Sequence, residues 1–493
     1  MKAVFVAFNS KYVHTNIAVR YLTRYCGSYG FDCAFAEYSI NDIYHNLISN
    51  LYMLPADVYG FSCYIWNIEL ALKLARDLKT LKPNCTIVLG GPEVSFDAED
   101  LLAANGFIDC IVCGEGELST LSLLRDLPDY KKIYRPDTAI DLNDLPFPYT
   151  TEDLGEIIKG EKLVYYETSR GCPFSCSFCL SGAAAGMSML PLERVEREIA
   201  VMTGAGADTI KFVDRTFNAN KERALQIWRY CAELVGDTKY HFEVGADLFD
   251  PETLDFLATV PDGRFQFEIG VQTANHAAIE AVSRTTDLEK LKHNVQTLRA
   301  HNNIHLHLDL IAGLPHEDYS SFKRSFNYVY DVRPHAFQLG FLKFLKGSAI
   351  RENACRFDAK YSAAPPYEIF ANHAMSYEDI INLHVIEDVL ERYYNSARFE
   401  CSLPLIVQAF DSPFDFYESF SKMWRDKGLS GQGVKRIKLY DYIYSFASQR
   451  LTEAEMKNFS AALKLDFTKW HNNGRGVPEW YKAARVEPAT PKT

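Results

Sequence analysis

Short apolar runs recur along the first part of the chain: AVFVAF, CAFAEYSI, ADVYGFSCYI, CTIVLGG and DCIVCGEGE. Stretches of helix length lie between them, up to about residue 127. A strand apolar on both faces is covered on both faces, which marks a parallel sheet flanked by helices. The pattern predicts a doubly wound, Rossmann-like domain, whose ligands sit beyond the carboxyl ends of the strands. Those ends read SCYIWN (62–67), GGPE (90–93) and GEGE (114–117).

From about residue 160 the pattern changes. KLVYYETS, DTIKFVD, YHFEVGAD, FQFEIGVQT, HLHLDLIAGL and AFQLGFLKFL predict strands, again with helical stretches between them. Several alternate in polarity. His305, His307 and Asp309 share one face, and Leu306, Leu308 and Leu310 the other. His241, Glu243 and Asp247 oppose Phe242, Val244 and Ala246; Gln266, Glu268 and Gln272 oppose Phe267, Ile269 and Val271. Six βα units predict a partial (β/α)6, TIM-like barrel with its chemistry at the C-terminal strand ends. Helices take the apolar face, so the polar face points inside. Unpaired polar groups are costly to bury, and such a lining needs polar contents such as a cofactor. The competing reading is an antiparallel sheet with a solvated polar face, which the intervening helices disfavour.

The segment RPDTAIDLNDLPFPY lacks a period and reads as loop, placing a linker at 141–159 between domains of 1–140 and 160–350. Residues 351–493 carry helical spacing and predict a mostly helical C-terminal domain, with SGQGVKRIKLY as a loop inside it. Residues 474–493 are polar and Pro-rich, and the last ten predict a frayed tail. Lys343 and Lys346, near the junction, read as lysines that solvate a strand end.

A length of 493 residues with 47% apolar content calls for two or three cores. The net charge of −12 argues against a broad nucleic-acid surface. A local patch of Lys435, Arg436 and Lys438 with Tyr440 and Tyr442 leaves RNA contact open. No apolar run reaches membrane-spanning length, and the N-terminal run stops at Asn9, too early for a signal peptide. The expectation is a cytoplasmic protein whose 12 cysteines are reduced. Cys110 and Cys113, in an apolar strand, read as core.

Three cysteines stand apart. SRGCPFSCSFCL (169–180) places Cys172, Cys176 and Cys179 directly after the first barrel strand, with C-x3-C-x2-C spacing. One helical turn presents Cys176 and Cys179 to the same point, and Gly171 and Pro173 let Cys172 curl back. A closed zinc site takes four ligands, as does an ordinary four-iron cluster. Three thiolates leave one iron with an open coordination position. The other reading is a zinc knuckle with a distant fourth ligand.

Motif, spacing and barrel resemble the radical S-adenosylmethionine superfamily over residues 160–350. The resemblance implies a [4Fe–4S] cluster on Cys172, Cys176 and Cys179. Its open iron chelates S-adenosylmethionine, whose reductive cleavage yields a 5′-deoxyadenosyl radical. It further implies that Phe178 contacts the adenine, and that Asp214, Glu243, Glu268, Gln272 and Asp309 bind nucleoside and amino acid. Arg284 pairs with the carboxylate, since guanidinium and carboxylate match bidentately. The family's GGE after the second strand is replaced by VDRTFN (213–218).

The doubly wound domain ahead of the barrel resembles the cobalamin-binding branch of that superfamily. By that resemblance, cobalamin is held by Ser62, Tyr64, Trp66 and Asn67, by Gly90, Gly91, Pro92 and Glu93, and by Gly114, Glu115, Gly116 and Glu117. A dinucleotide fingerprint fails, because GEGELS has Ser119 at the third glycine place. DIYHNL (42–47) lacks the spacing of a cobalt-ligating histidine motif, which implies cobalamin without a protein histidine on its lower face. The C-terminal part resembles an uncharacterised extension in one subgroup. The expected activity is methylation of an unactivated carbon. A radical rearrangement, cyclisation or reduction, and modification of a tRNA base, are the alternatives. The expected partners are a small-molecule substrate and a reductant such as flavodoxin or ferredoxin.

Overall fold

The computed structural model describes residues 1–183, 186–471, 477, 478, 480 and 481. The expected frayed tail, the last ten residues, therefore lies outside the described residues.

The first sheet has six strands: β1 (Lys2–Asn9), β2 (Asp32–Ser39), β3 (Val58–Ser62), β4 (Thr86–Gly90), β5 (Cys110–Val112) and β6 (Ile133–Tyr134). Their order is β2-β1-β3-β4-β5-β6 and every pairing is parallel. The run AVFVAF shows why. Ala3, Phe5 and Ala7 enter one core layer, and Val4, Val6 and Phe8 the other, so the strand is apolar on both faces because both are covered. Cys110 and Cys113 are buried, as expected.

The second sheet is the barrel. It joins β7 (Val164–Tyr166), β10 (Thr209–Phe212), β11 (Lys239–Val244), β12 (Phe265–Gln272), β13 (His305–Ala312) and β14 (Ala336–Phe341). All pairings are parallel, in the order β14-β13-β12-β11-β10-β7. The antiparallel alternative is excluded. Phe265, Phe267, Ile269 and Val271 are fully buried beneath the helices, and the alternate positions of β12 are half-buried and face inward. A small antiparallel ribbon of β8 (Ser169–Gly171) and β9 (Met187–Met189) brackets the cysteine motif.

The barrel does not close, and its flanks cover both free edges. Beside β7, Leu163 donates its amide to the Val13 carbonyl at 2.9 Å and accepts from the Thr15 hydroxyl at 2.9 Å. On β14, the side-chain amide of Asn395 takes both main-chain groups of Phe337: its Oδ1 accepts from N at 2.8 Å and its Nδ2 donates to O at 2.9 Å.

Two sequence expectations are corrected. The stretch 141–159 is not all linker, because a helix fills Thr151–Lys159, started by a reciprocal cap between Thr150 and Asp153. The C-terminal loop ends earlier than expected, because Leu439, Tyr440, Ile443 and Phe446 recur at helical spacing and are buried on the helix Arg436–Ala447. Tyr440 packs against Phe399 and Phe467, and Lys438 pairs with Asp441 at 2.9 Å, so that patch offers an RNA base no free ring at Tyr440. Among the described residues no helix is long and apolar enough to cross a membrane.

Candidate active site

The chain leaves β8 at Gly171 with φ +97°, where a Cβ would lie 2.3 Å from the carbonyl oxygen of Gly186. The following loop holds Cys172, Cys176 and Cys179, all half-buried. Cys179 N donates to Cys176 O at 3.0 Å, so a single hydrogen-bonded turn, and not a helix, presents these two thiols. Ser177 fixes the loop on two sides: its amide donates to the Val282 carbonyl and its carbonyl accepts from Ile350 N, each at 2.9 Å. Partial burial raises the Cys176 thiol pKa, and Arg284 opposes the rise with Nη1 4.0 Å from the sulfur.

Among the described residues, no three His, Cys, Asp or Glu side chains converge as a mononuclear metal requires. A four-iron cube does not ask for that, since its thiolates bind separate irons.

A cavity of about 200 Å³ opens in front of this loop at the C-terminal strand ends. The three cysteines line it, as do Phe178, Glu243, Glu268, Gln272, Arg284 and Asp309, all expected there. Asp214 is not among them. β10 ends at Phe212, so alternation no longer dictates where Asp214 points. It is buried, accepting from Thr168 N, Thr168 Oγ1 and Ser169 Oγ at 3.0, 2.6 and 2.6 Å. Arg215, Thr216 and Asp247 line the cavity without having been assigned to it. Asp247 was visible on the polar face of its run; Arg215 and Thr216 follow a strand end, where no period applies.

Two polar atoms in this cavity are buried without partners, Gln272 Oε1 and Arg284 Nε, and Asp309 Oδ1 has only His307 Nε2 near it, at 3.3 Å. Gln272 adopts φ +69° at a bulge in β12, and Gly270 leaves room for its amide, since a Cβ on Gly270 would lie 2.2 Å from Gln272 Nε2. Unsatisfied buried donors and acceptors beside three thiols fit a polar ligand such as S-adenosylmethionine.

The carboxyls differ in charge. A hydrogen bond from His241 at 2.9 Å and Lys211 at 3.1 Å hold Glu268 down to about 2, against its burial. Burial, then the charges of Glu268 and Glu243, push Asp309 up to about 8. Burial also pushes Glu243 up to about 7, with Arg215 opposing. A carboxyl raised in the folded state keeps a proton that the unfolded chain releases. The contribution of these two carboxyls to stability therefore falls as pH rises from about 4 to about 8. Asp309→Asn is expected to stabilise the cofactor-free protein by up to about 6 kcal/mol near pH 9 and by little near pH 4. Urea denaturation at both pH values checks this, and an equal effect at the two would refute it.

A second cavity, of about 280 Å³, lies at the strand ends of the first sheet. Ser62, Tyr64, Gly90, Gly91, Pro92, Gly114, Glu115, Gly116 and Glu117 line it, over an apolar floor that includes Phe5, Val58, Val88 and Leu124. Gly91 adopts φ +110°, ψ 175° and packs on the Cys63 backbone. A glycine rim over an apolar slot fits a large flat ring with an organic tail.

Three expected residues turn elsewhere. Asn67 is buried, with Oδ1 accepting from Tyr64 N at 2.8 Å and Nδ2 donating to Phe8 O and Ser62 O at 3.0 Å each. Trp66 donates to Phe8 O at 3.1 Å and stacks on Tyr64. Glu93 points at the C-terminal domain, where the Tyr367 hydroxyl meets it. The sequence reading missed Arg170, which lines the cavity and holds Glu117 at 3.0 Å and Glu167 at 2.9 Å. Its only signal was a cation two residues before the first cysteine, directly after the first barrel-strand run KLVYYETS.

Comparison with known proteins follows this division. Residues 3–124 match the family described as B12 binding domain, 166–329 the radical SAM superfamily, and 355–491 a protein family of unknown function, DUF4080. The cobalamin-dependent radical SAM methyltransferase TokK of Streptomyces tokunonensis is 27% identical over 325 residues, covering 59% of this chain and 48% of that protein. The anaerobic magnesium-protoporphyrin IX monomethyl ester cyclase of Rubrivivax gelatinosus is 24% identical over 357 residues, 64% of this chain and 62% of that one. The chain spans about half the length of the first curated relatives it matches. In fold it resembles the cobalamin-dependent S-adenosylmethionine radical enzyme OxsB, solved with aqua-cobalamin and S-adenosylmethionine bound. The TM-score is 0.66 at 16% identity, over 98% of this chain and 83% of that one.

Proposed function

We propose, for a chain that belongs to the cobalamin-binding branch of the radical S-adenosylmethionine superfamily, an enzyme that moves a methyl group onto an unactivated carbon of a small molecule. The nearness of the two cavities along the chain carries the reading. Arg170 lines the cavity in the first domain, and Cys172, two residues on, lines the cavity in the barrel. A substrate between them lies within reach of both.

Cys172, Cys176 and Cys179 would hold a [4Fe–4S] cluster, and Phe178, Glu243, Glu268, Gln272, Arg284 and Asp309 would hold S-adenosylmethionine. The glycine rim of Gly90, Gly91, Gly114 and Gly116 would hold cobalamin. When bound, the reduced cluster supplies one electron for cleaving S-adenosylmethionine, and cobalamin carries a methyl group from a second S-adenosylmethionine to the substrate.

The chain's part is to attract, orient and exclude water. Glu268 carries the negative charge of the empty pocket, and Glu243 and Asp309 would add theirs when a sulfonium and an ammonium group arrive. An added cation favours the ionised form, so both raised carboxyls would release their protons as the ligand enters. Arg284 matches a carboxylate with its guanidinium. Phe174, Phe178 and Leu248 give the pocket apolar walls. No histidine is among the described residues lining the first cavity, and His45 is exposed on the helix Tyr44–Met53, so the residues that would hold cobalamin there are those of the glycine rim and the apolar floor. The one-electron donor would be a flavodoxin or a ferredoxin.

A radical conversion without methyl transfer is the second reading, favoured by the cyclase among the relatives. Reconstituted without oxygen, the protein is to be incubated with cell extract and methyl-labelled S-adenosylmethionine. The expected result is 5′-deoxyadenosine together with label in one small molecule heavier by a CH2 unit. 5′-Deoxyadenosine with a product of unchanged carbon count selects the second reading, and its absence sinks both.

A further inference from the structure

The stretch FLKGSAI (344–350) leaves the last barrel strand and crosses to the first domain. At one end, Ile350 N donates to Ser177 O at 2.9 Å, inside the cysteine loop. Four residues earlier Lys346 reaches the other way. Its Nζ donates to Glu93 O at 3.0 Å and to Asp97 Oδ2 at 2.7 Å. The sequence reading left this lysine in solvent, but its side chain is only 17% exposed. Between them Gly347, at φ +78°, lets the Phe96 ring lie on the backbone; a Cβ there would come within 2.2 Å of the ring.

The C-terminal domain braces this crossing. The Tyr367 hydroxyl donates to Glu93 Oε2 at 2.7 Å, and both residues are buried. Tyr367 O accepts from Phe344 N at 3.0 Å, and Ile369 N donates to Leu342 O at 2.9 Å. Arg351 lies over the Tyr367 ring at 4.6 Å and donates to Phe344 O at 2.8 Å. A buried carboxylate is costly without its donors, so Glu93 is tied where Tyr367 stands. Glu93 follows directly on Pro92 of the cavity wall. Its amide also bonds Cys63 O at 3.3 Å, and so the tie reaches a second loop of that cavity.

We infer that residues 343–351 with Tyr367 form a strap that sets the cobalamin loop in register with the cysteine loop, Lys346 and Tyr367 being positioning residues. The inference rests on the reading of two adjoining cofactor sites. By it, the DUF4080 region serves to hold a ligand loop of another domain in place. Transfer between two sites depends on such register, because a displacement of about 1 Å costs on the order of a hundredfold in rate.

The test uses the full chain as wild type, Tyr367→Phe, Lys346→Met and Lys346→Arg. In cofactor-free protein, amide hydrogen exchange is followed by mass spectrometry at 91–97 and at 174–179. Both loops are expected to exchange about tenfold faster in Tyr367→Phe and Lys346→Met, and at the wild-type rate in Lys346→Arg. Neither side chain touches 174–179, so a purely local role would leave that loop unchanged. In reconstituted protein, hydroxocobalamin affinity, read by absorbance, is expected to fall about tenfold. 5′-Deoxyadenosine formation should hold, so more is released per product made. Faster exchange confined to 91–97, or unchanged cobalamin affinity in both variants, overturns the strap. A wild type that takes up no cobalamin overturns the functional reading instead, and the exchange data still decide whether the strap joins the two loops.

Discussion

Cys176→Ala is expected to lose the iron–sulfur cluster and at least about a thousandfold in 5′-deoxyadenosine formation, while the chain stays folded and still takes up cobalamin. The separation follows from where the thiol sits. Cys176 is half-buried on a loop fixed by main-chain bonds of Ser177, so removing its sulfur takes nothing from either core layer. Nor is Cys176 among the residues lining the cavity proposed for cobalamin. The same outcome is expected at Cys172 and Cys179. Cys110→Ser makes the contrast: a hydroxyl in a fully buried strand is expected to cost about 1–3 kcal/mol of stability and to leave the cluster intact. Iron and sulfide analysis, absorbance and urea denaturation read both arms. A Cys176→Ala protein that keeps full iron content and activity would mean that these thiols are not the ligands.

Gly91→Ala is expected to have the second large effect, on cobalamin alone. The residue occupies φ +110°, ψ 175°, a region essentially reserved for glycine, and an added Cβ would lie 2.5 Å from Cys63 O. Strain of about 3 kcal/mol has one easy outlet, displacement of the loop, and that corresponds to a loss of more than about a hundredfold in cobalamin affinity. Gly106→Ala, in the same domain but not among the residues lining that cavity, is the control, since its Cβ would meet nothing within 4 Å. Absorbance titration with hydroxocobalamin compares the two. Equal affinity in Gly91→Ala and wild type would place the ring elsewhere.

The sequence was most legible where a period applies. HLHLDL alternates strictly, and Asp309 faces the barrel interior for that reason; the same holds for Glu243 and Glu268. Legibility stopped where the strand did. Asp214 stands two residues past the end of β10, and its direction is set by Thr168 and Ser169, residues of another strand–loop junction that no local pattern brings to mind. The glycine loops announced a ligand, but Trp66, Asn67 and Glu93 in and beside them hold loops together. A loop's composition shows that the backbone bends and leaves open which way each side chain turns. Arg170 and Lys346 depend on contacts between domains far apart in sequence. The helix Thr151–Lys159 was readable after all, from the Thr150–Asp153 cap, and was hidden by the prolines before it.

The coverage of the two barrel edges bears on how the chain is divided in the laboratory or by evolution. A fragment trimmed to the middle region alone would lose Val13, Thr15 and Asn395, and with them the partners of Leu163 and Phe337. Bare main-chain groups at a strand margin recruit other strands, so such a fragment invites aggregation. The first and last regions thus also serve as guard rails for the solubility of the barrel between them.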